Sequence, residues 1–258
     1  VRNETYWLIN NYFVASKNEN EIVDFCSGHE EIFKEDWSLF FMYLGALKVL
    51  GLNDEREIQL KKYTDELYNI YEYWNEVLNL SDLEENRKAF VDACHDGKMT
   101  CVFNQSAYLI IEQLINFHEY DLAQLYVTKH EKAGEKSFKI KKYKAIILQG
   151  KENDIEALKC YKEAFEDNST DKFVIDSLIT LSLVNKRKVS KEVLDAAINA
   201  DTSRLHMLAA ACYLNDGDIS QAKSENIRAI LMSGEKYSSV FGQYIAISSY
   251  IHSNEVIT

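Results

Sequence analysis

Apolar residues recur along this chain at intervals of three and four, the spacing that places them on one side of an α-helix. In residues 4–17 they are Trp7, Leu8, Tyr12 and Phe13, and in 19–32 they are Ile22, Phe25, Cys26 and Ile32. Asp36 reads as an N-cap for an apolar helix at 37–51. Gly45 and Ala46 inside it suggest a close helix crossing, because an interior glycine costs roughly 1 kcal/mol relative to alanine. Leu60, Tyr63, Leu67, Ile70, Tyr71, Trp74 and Leu78 form a wide aromatic seam. The seam predicts one long helix from Asn53 or Asp54 to about Leu80, which at 1.5 Å per residue would extend roughly 40 Å. Tyr63, Tyr71, Tyr73 and Trp74 read first as packing, and only an uncovered seam of that size would be a surface for a homodimer or another partner. Ser81 and Glu84 have the spacing of a capping box for a helix at 82–94, and Gly97 follows His95 and Asp96 as its C-terminal stop.

From about residue 103 the pattern becomes periodic. Helices are expected in pairs, 104–117 with 119–131, 137–150 with 153–166, 171–185 with 190–200, and 203–216 with 218–232, and a last one at 236–252. In Asn153–Phe165, Asp154 reads as the cap, and Ala157, Tyr161 and Ala164 share one face. Ala123 stands 34 positions before Ala157, and Ala222 and Ala229 repeat Ala157 and Ala164. Val193 and Ala200 hold the corresponding places in between, at less regular offsets. The turns Gly150–Asn153 and Asn215–Asp218 are alike in kind and place.

A two-helix unit of 34 residues is the period of the tetratricopeptide repeat. Over about 103–252 the chain resembles that family, with Ala145, Ala210 and Gly45 at the place of the small residue in a unit's first helix. The family's usual terminal proline is absent, and helix lengths vary. A related helical-hairpin solenoid is the alternative. The resemblance implies an all-α, right-handed α-α superhelix of antiparallel helix pairs. Residues 1–100 would form an irregular helical region, and 101–258 the repeats with a capping helix. It further implies binding rather than catalysis, through the concave surface lined by the first helices.

Composition narrows this. There are 258 residues, 47% hydrophobic, with nine glycines and no proline. A β-sandwich or barrel would need more turn-forming residues than that. The formal charge of −12 repels nucleic acid and anionic membranes. The apolar run Trp37–Leu52 is too short and, with Lys48, too charged for a membrane span. Five scattered cysteines, Cys26, Cys94, Cys101, Cys160 and Cys212, read as reduced thiols of a cytoplasmic protein. The sequons at Asn3, Asn79, Asn104 and Asn168 are what an Asn-rich chain produces by chance. No signal peptide is visible. The first residue is Val1, so a preceding domain is conceivable.

Catalytic and cofactor motifs do not form. The stretch from Asp96 to Thr100 approaches a phosphate loop, but Asp92 stands where its first glycine belongs and Thr100 comes one place late. Cys94, His95 and Cys101 lack zinc-knuckle spacing. The pairs Glu30/Glu31, Asp65/Glu66 and Glu84/Glu85 fall on polar helix faces. No catalytic, metal or cofactor residue is therefore expected.

One cluster stands out in this acidic chain: Lys136, Lys139, Lys141, Lys142 and Lys144. If Ala145 is its unit's small residue, the resemblance places Lys139 and Lys142 on the groove face. The same register adds Gln105, Tyr108 and Glu112 before them and Asn185, Arg204 and Met207 after. Such a groove suits a protein or peptide partner with acidic groups. The alternatives are the peptide-sensing domain of a bacterial transcription regulator and an accessory domain of an enzyme such as a glycosyltransferase.

Overall fold

The computed structural model describes residues 2–80, 83–95, 97–103 and 106–233, with side chains from Leu8 onward. The expected final helix at 236–252, Ser81, Asp96, Gln105 and the side chain of Trp7 lie outside the described residues. Helices dominate. In the first half they are α1 (Arg2–Ser16), α2 (Glu19–Gly28), α3 (Trp37–Val49), α4 (Asn53–Lys62), α5 (Thr64–Leu67), α6 (Tyr71–Leu80), α7 (Glu84–Cys94) and α8 (Ala107–Asn116). Then come α9 (Tyr120–Lys132), α10 (Phe138–Gly150), α11 (Asp154–Asp167), α12 (Lys172–Val184), α13 (Lys191–Asn199), α14 (Ser203–Asn215) and α15 (Ile219–Ser233). Two compact units result, Val1–Tyr126 and Val127–Thr258. Periodicity starts near residue 101 in the sequence, whereas the units divide later, inside α9.

In the first unit the core is aromatic. Phe33, Phe40 and Phe90 are fully buried, and Phe33, Phe40 and Tyr63 meet edge to face at 5.2–6.1 Å. Asp36 caps α3 as the sequence predicts, its carboxylate accepting the Ser38 N–H at 2.9 Å. The expected helix at 19–32 stops at Gly28, and a single 3₁₀ turn covers Glu30–Ile32. Helix α7 begins at Glu84 with Leu83 before it and no side-chain cap. Gly97 does end the segment, at φ +62°, with its N–H donating to the Cys94 carbonyl.

The one long helix expected at 53–80 is instead three helices. Thr64 draws its hydroxyl back onto the Leu60 and Lys61 carbonyls, a competition that weakens a helix interior. The chain then turns at Asn69–Tyr71 and pairs with Thr100. Tyr71 N–H donates to the Thr100 carbonyl at 2.9 Å, and Thr100 N–H to that of Asn69 at 2.8 Å. Trp74 Nε1–H donates to the Tyr68 carbonyl at 2.7 Å. The break folds the seam inward, so Tyr63, Tyr71, Tyr73 and Trp74 are each at most 6% exposed. They form core, not a dimer face.

Glu72 fixes this corner. Its buried carboxylate accepts the N–H groups of Val102 and Phe103, both at 3.0 Å. Replacing Glu72 with Ala strands two donors and is expected to cost about 2 kcal/mol. Urea unfolding and exchange of the Val102 and Phe103 amides measure it; unchanged exchange rates would contradict the role.

Gly45 does not mark a helix crossing. It is exposed, and a Cβ built there meets nothing within 4 Å. Its neighbour Ala46 is the buried one. Gly45→Ala is therefore expected to stabilise by about 0.5–1 kcal/mol, read as a rise in melting temperature.

The second unit is built of helix pairs α10/α11, α12/α13 and α14/α15. The turn after a pair's first helix recurs with the same hydrogen bonds. At 114–119, 148–153, 182–187 and 213–218 the last residue's N–H reaches back five residues. The residue before it has positive φ: His118, Glu152, Lys186 and Gly217, at intervals of 34, 34 and 31. This is the Schellman motif, which satisfies the last carbonyls of a helix. Seven positions before each turn residue stand Ile111, Ala145, Ile179 and Ala210, all 0% exposed. In the paired helices Ala123, Ala157, Ala164, Ala222 and Ala229 are also 0% exposed. Small residues there let the helices approach closely. Asp154 is not the cap of α11. Asn153 holds that place, and Asp154, already helical, accepts the Asn185 amide at 3.1 Å.

Candidate functional site

The turn residues give a common register for the first helices of the pairs. Thirteen places before them lie Lys139, Phe173 and Arg204, and ten places before lie Lys142, Asp176 and Met207. These positions share one face of α10, α12 and α14, near the N-terminal ends. Lys139 and Arg204 are exposed, and Met207 is half-buried.

Neighbouring pairs interlock along this face. Lys142 Nζ lies 5.0 Å from the Phe173 ring centre and 5.7 Å from that of Phe138. It also donates to both oxygens of Asp171, at 3.0 and 3.3 Å. Asp171 in turn caps α12, accepting the Val174 N–H at 2.9 Å. One pair further on, Arg204 grips Asp176 with two nitrogens, Nη2 to Oδ1 at 2.9 Å and Nε to Oδ2. That hydrogen bond pushes the guanidinium's pKa above its usual value. The Arg204 side chain remains 61% exposed, so solvent screens the pair. Phe173, three residues from Asp176 on the same helix, is 47% exposed. The face thus presents a half-exposed aromatic ring with Lys142 over it, and beside it on the same helix Asp176 holds Arg204.

The lysine cluster is largely tied into the unit. Lys141 pairs with Asp167 at 2.6 Å, and Lys144 pairs with Glu131 at 2.9 Å. Asn185 belongs to a different place. It follows the last residue of α12, about 18 Å along the axis from Phe173 at 1.5 Å per residue. Its amide is spent on Asp154 and on the Leu181 carbonyl. Tyr108, half-buried, and Glu112, exposed, lie on α8 of the first unit. Phe138, Asp171, Phe173 and Asp176 were not singled out by sequence. Adding the 34-residue period to Lys139 and Lys142 lands on Phe173 and Asp176, so the signal was present.

Four of the five cysteines, Cys26, Cys94, Cys160 and Cys212, are buried and all five are free thiols. Burial pushes Cys26, Cys94 and Cys212 up to about 12. Among the described residues no group of three or more His, Cys, Asp or Glu side chains is placed to hold a metal ion. Among them too, no helix is long and apolar enough to cross a membrane.

No protein-family model and no curated protein matches the chain. It is similar to the crystal structure of a tetratricopeptide repeat protein from Parabacteroides merdae ATCC 43184, at 12% identity and a TM-score of 0.49. That match covers 96% of this chain and 99% of the other. It is also similar to a chain of the APC/C hetero-tetramer Cut9-Hcn1, at 11% identity and a TM-score of 0.53. There 92% of this chain is covered and 48% of the other, so the chain spans about half that length. The second likeness, with the helix pairs, shows an all-α helical-repeat fold, and the turn spacing of 34, 34 and 31 residues makes it tetratricopeptide-like.

Proposed function

We propose that the second unit is a non-catalytic binding module that takes a protein or peptide segment on the face of α10, α12 and α14. The exposed Phe173 ring, flanked by Lys142 and by the Arg204–Asp176 pair, carries this reading. An aromatic or aliphatic side chain of the partner would cover Phe173. A partner carboxylate would meet the exposed edge of Arg204, or Lys139 on the preceding pair. Asp171 and Asp176 moderate the preference for acidic partners, since each already holds one cation. The assembly named for the Cut9-Hcn1 structure agrees with a fold used for protein association, and this role fits a cytoplasmic setting.

A peptide array of apolar, acidic and basic sequences, probed with the whole chain, tests the reading. Peptides joining an apolar residue to an acidic one are expected to bind best. Phe173→Ala and the pair Lys139→Ala with Lys142→Ala should each weaken them at least tenfold. Equal binding by wild type and all variants would refute the assignment.

A further inference from the structure

In the first unit a separate cleft opens between α4 and α6, bordered also by Lys48 of α3 and by Leu83, Glu85 and Asn86. Its volume is about 890 Å³, in the range of small-ligand sites, about 300–1,000 Å³. Its wall contains Arg56, whose side chain is only 3% exposed. Arg56 directs Nε, at 2.8 Å, and Nη2 to a single oxygen of Glu76. Nη1 has no hydrogen-bond partner among the described residues, and Arg56 borders the cleft. A guanidinium so enclosed, with one edge unused, favours a carboxylate delivered to that edge.

The remaining charges of the cleft have two signs. Lys61 is answered by Glu57 at 2.5 Å. Lys48, Asp54 and Glu85 have no oppositely charged partner among the described residues. Leu60, Val77 and Leu80 supply an apolar floor. A simple anion would gain from Arg56 and Lys48 but be opposed by Asp54 and Glu85. A cation would meet the reverse. A ligand with both charges is matched at both.

The geometry points to a binding site for a zwitterion of dipeptide size, such as a free dipeptide with apolar side chains. Its carboxylate would lie at Arg56 and Lys48, its ammonium at Asp54 and Glu85, and its side chains on Leu60, Val77 and Leu80. The site lies in the first unit and is independent of the face described on the second.

Calorimetric titration of the whole chain with leucyl-leucine, its N-acetyl derivative and its C-terminal amide tests this. The free dipeptide is expected to bind at least tenfold more tightly than either blocked form. The double variant Arg56→Met/Glu76→Leu removes the guanidinium without leaving a lone buried charge, and should abolish binding. Lys48→Glu, on an exposed position, reverses a rim charge without touching the core and should weaken binding at least tenfold. No saturable binding of leucyl-leucine at millimolar concentration would overturn the proposal. So would equal binding of the blocked forms, or wild-type affinity in the folded variants.

Discussion

Tyr161→Ala should destabilise the second unit by about 4 kcal/mol, in the usual range for emptying a large aromatic site. Tyr161 is 0% exposed and shares its cluster with Ala145, Ala157, Ala164, Val174 and Leu178. Burial pushes its hydroxyl up to about 12. That hydroxyl is not idle: it donates to Gln149 Oε1 at 2.9 Å, joining α11 to α10. The two contributions separate by variant. Tyr161→Phe keeps the ring and loses the hydroxyl's interactions with Gln149 and Ser177, so about 1–2 kcal/mol is expected. Urea unfolding of the three proteins measures both steps. Near-equal losses for Phe and Ala would mean that the hydroxyl's interactions, not the packing, hold the hairpin.

Tyr161 and its alanines show what the chain declares in one dimension. Their spacing is local, within one helix, and it recurs. It therefore exposed the pairing of helices and the places where they touch before any coordinates. Two of the turns, Gly150–Asn153 and Asn215–Asp218, were legible from their Gly, Asp and Asn residues, whereas the turns at His118 and Lys186 take positive φ on residues that carry no such mark. The face of α10, α12 and α14 was half legible. The register placed Lys139, Lys142, Arg204 and Met207 at equivalent positions of their helices, but not Asp171 and Asp176 as the groups that hold two of the cations. Those partners lie 28 and 29 residues away, and charge alone does not choose among the acidic residues available. Asn185 was misplaced because register fixes which side a residue faces, not which neighbour is within its short reach.

The corner at Tyr68–Tyr71 was hidden for a stronger reason. Apolar residues at three and four continue through it, so helix periodicity has no means of marking the break. What ends the helix is non-local, the backbone of Thr100 and the carboxylate of Glu72 serving Val102 and Phe103. The sequence shows Glu72 only as one more polar residue on a helix. A long-range contact that lends the backbone a better set of partners overrides local propensity there.

Glu76→Ala tests the other feature that only the folded chain reveals. Arg56 reads in sequence as a solvated residue of a charged helix, yet it is 2% exposed. Glu76, twenty residues on, answers it, with 18% of its side chain still exposed. Removing Glu76 leaves the guanidinium enclosed without a counter-charge, and a loss of about 3 kcal/mol is expected. Removing both charges together should be far milder, because the cost comes from the stranded cation and not from the missing attraction. Arg56→Met/Glu76→Leu, with side chains of similar reach, is therefore expected within about 1 kcal/mol of wild type. Urea unfolding across the four members of the double-mutant cycle gives both values. If the double variant loses as much as Glu76→Ala, the ion pair itself stabilises the junction of α4 and α6. If it recovers, the pair is dispensable for folding, and the enclosed charge beside the cleft is left without a structural reason.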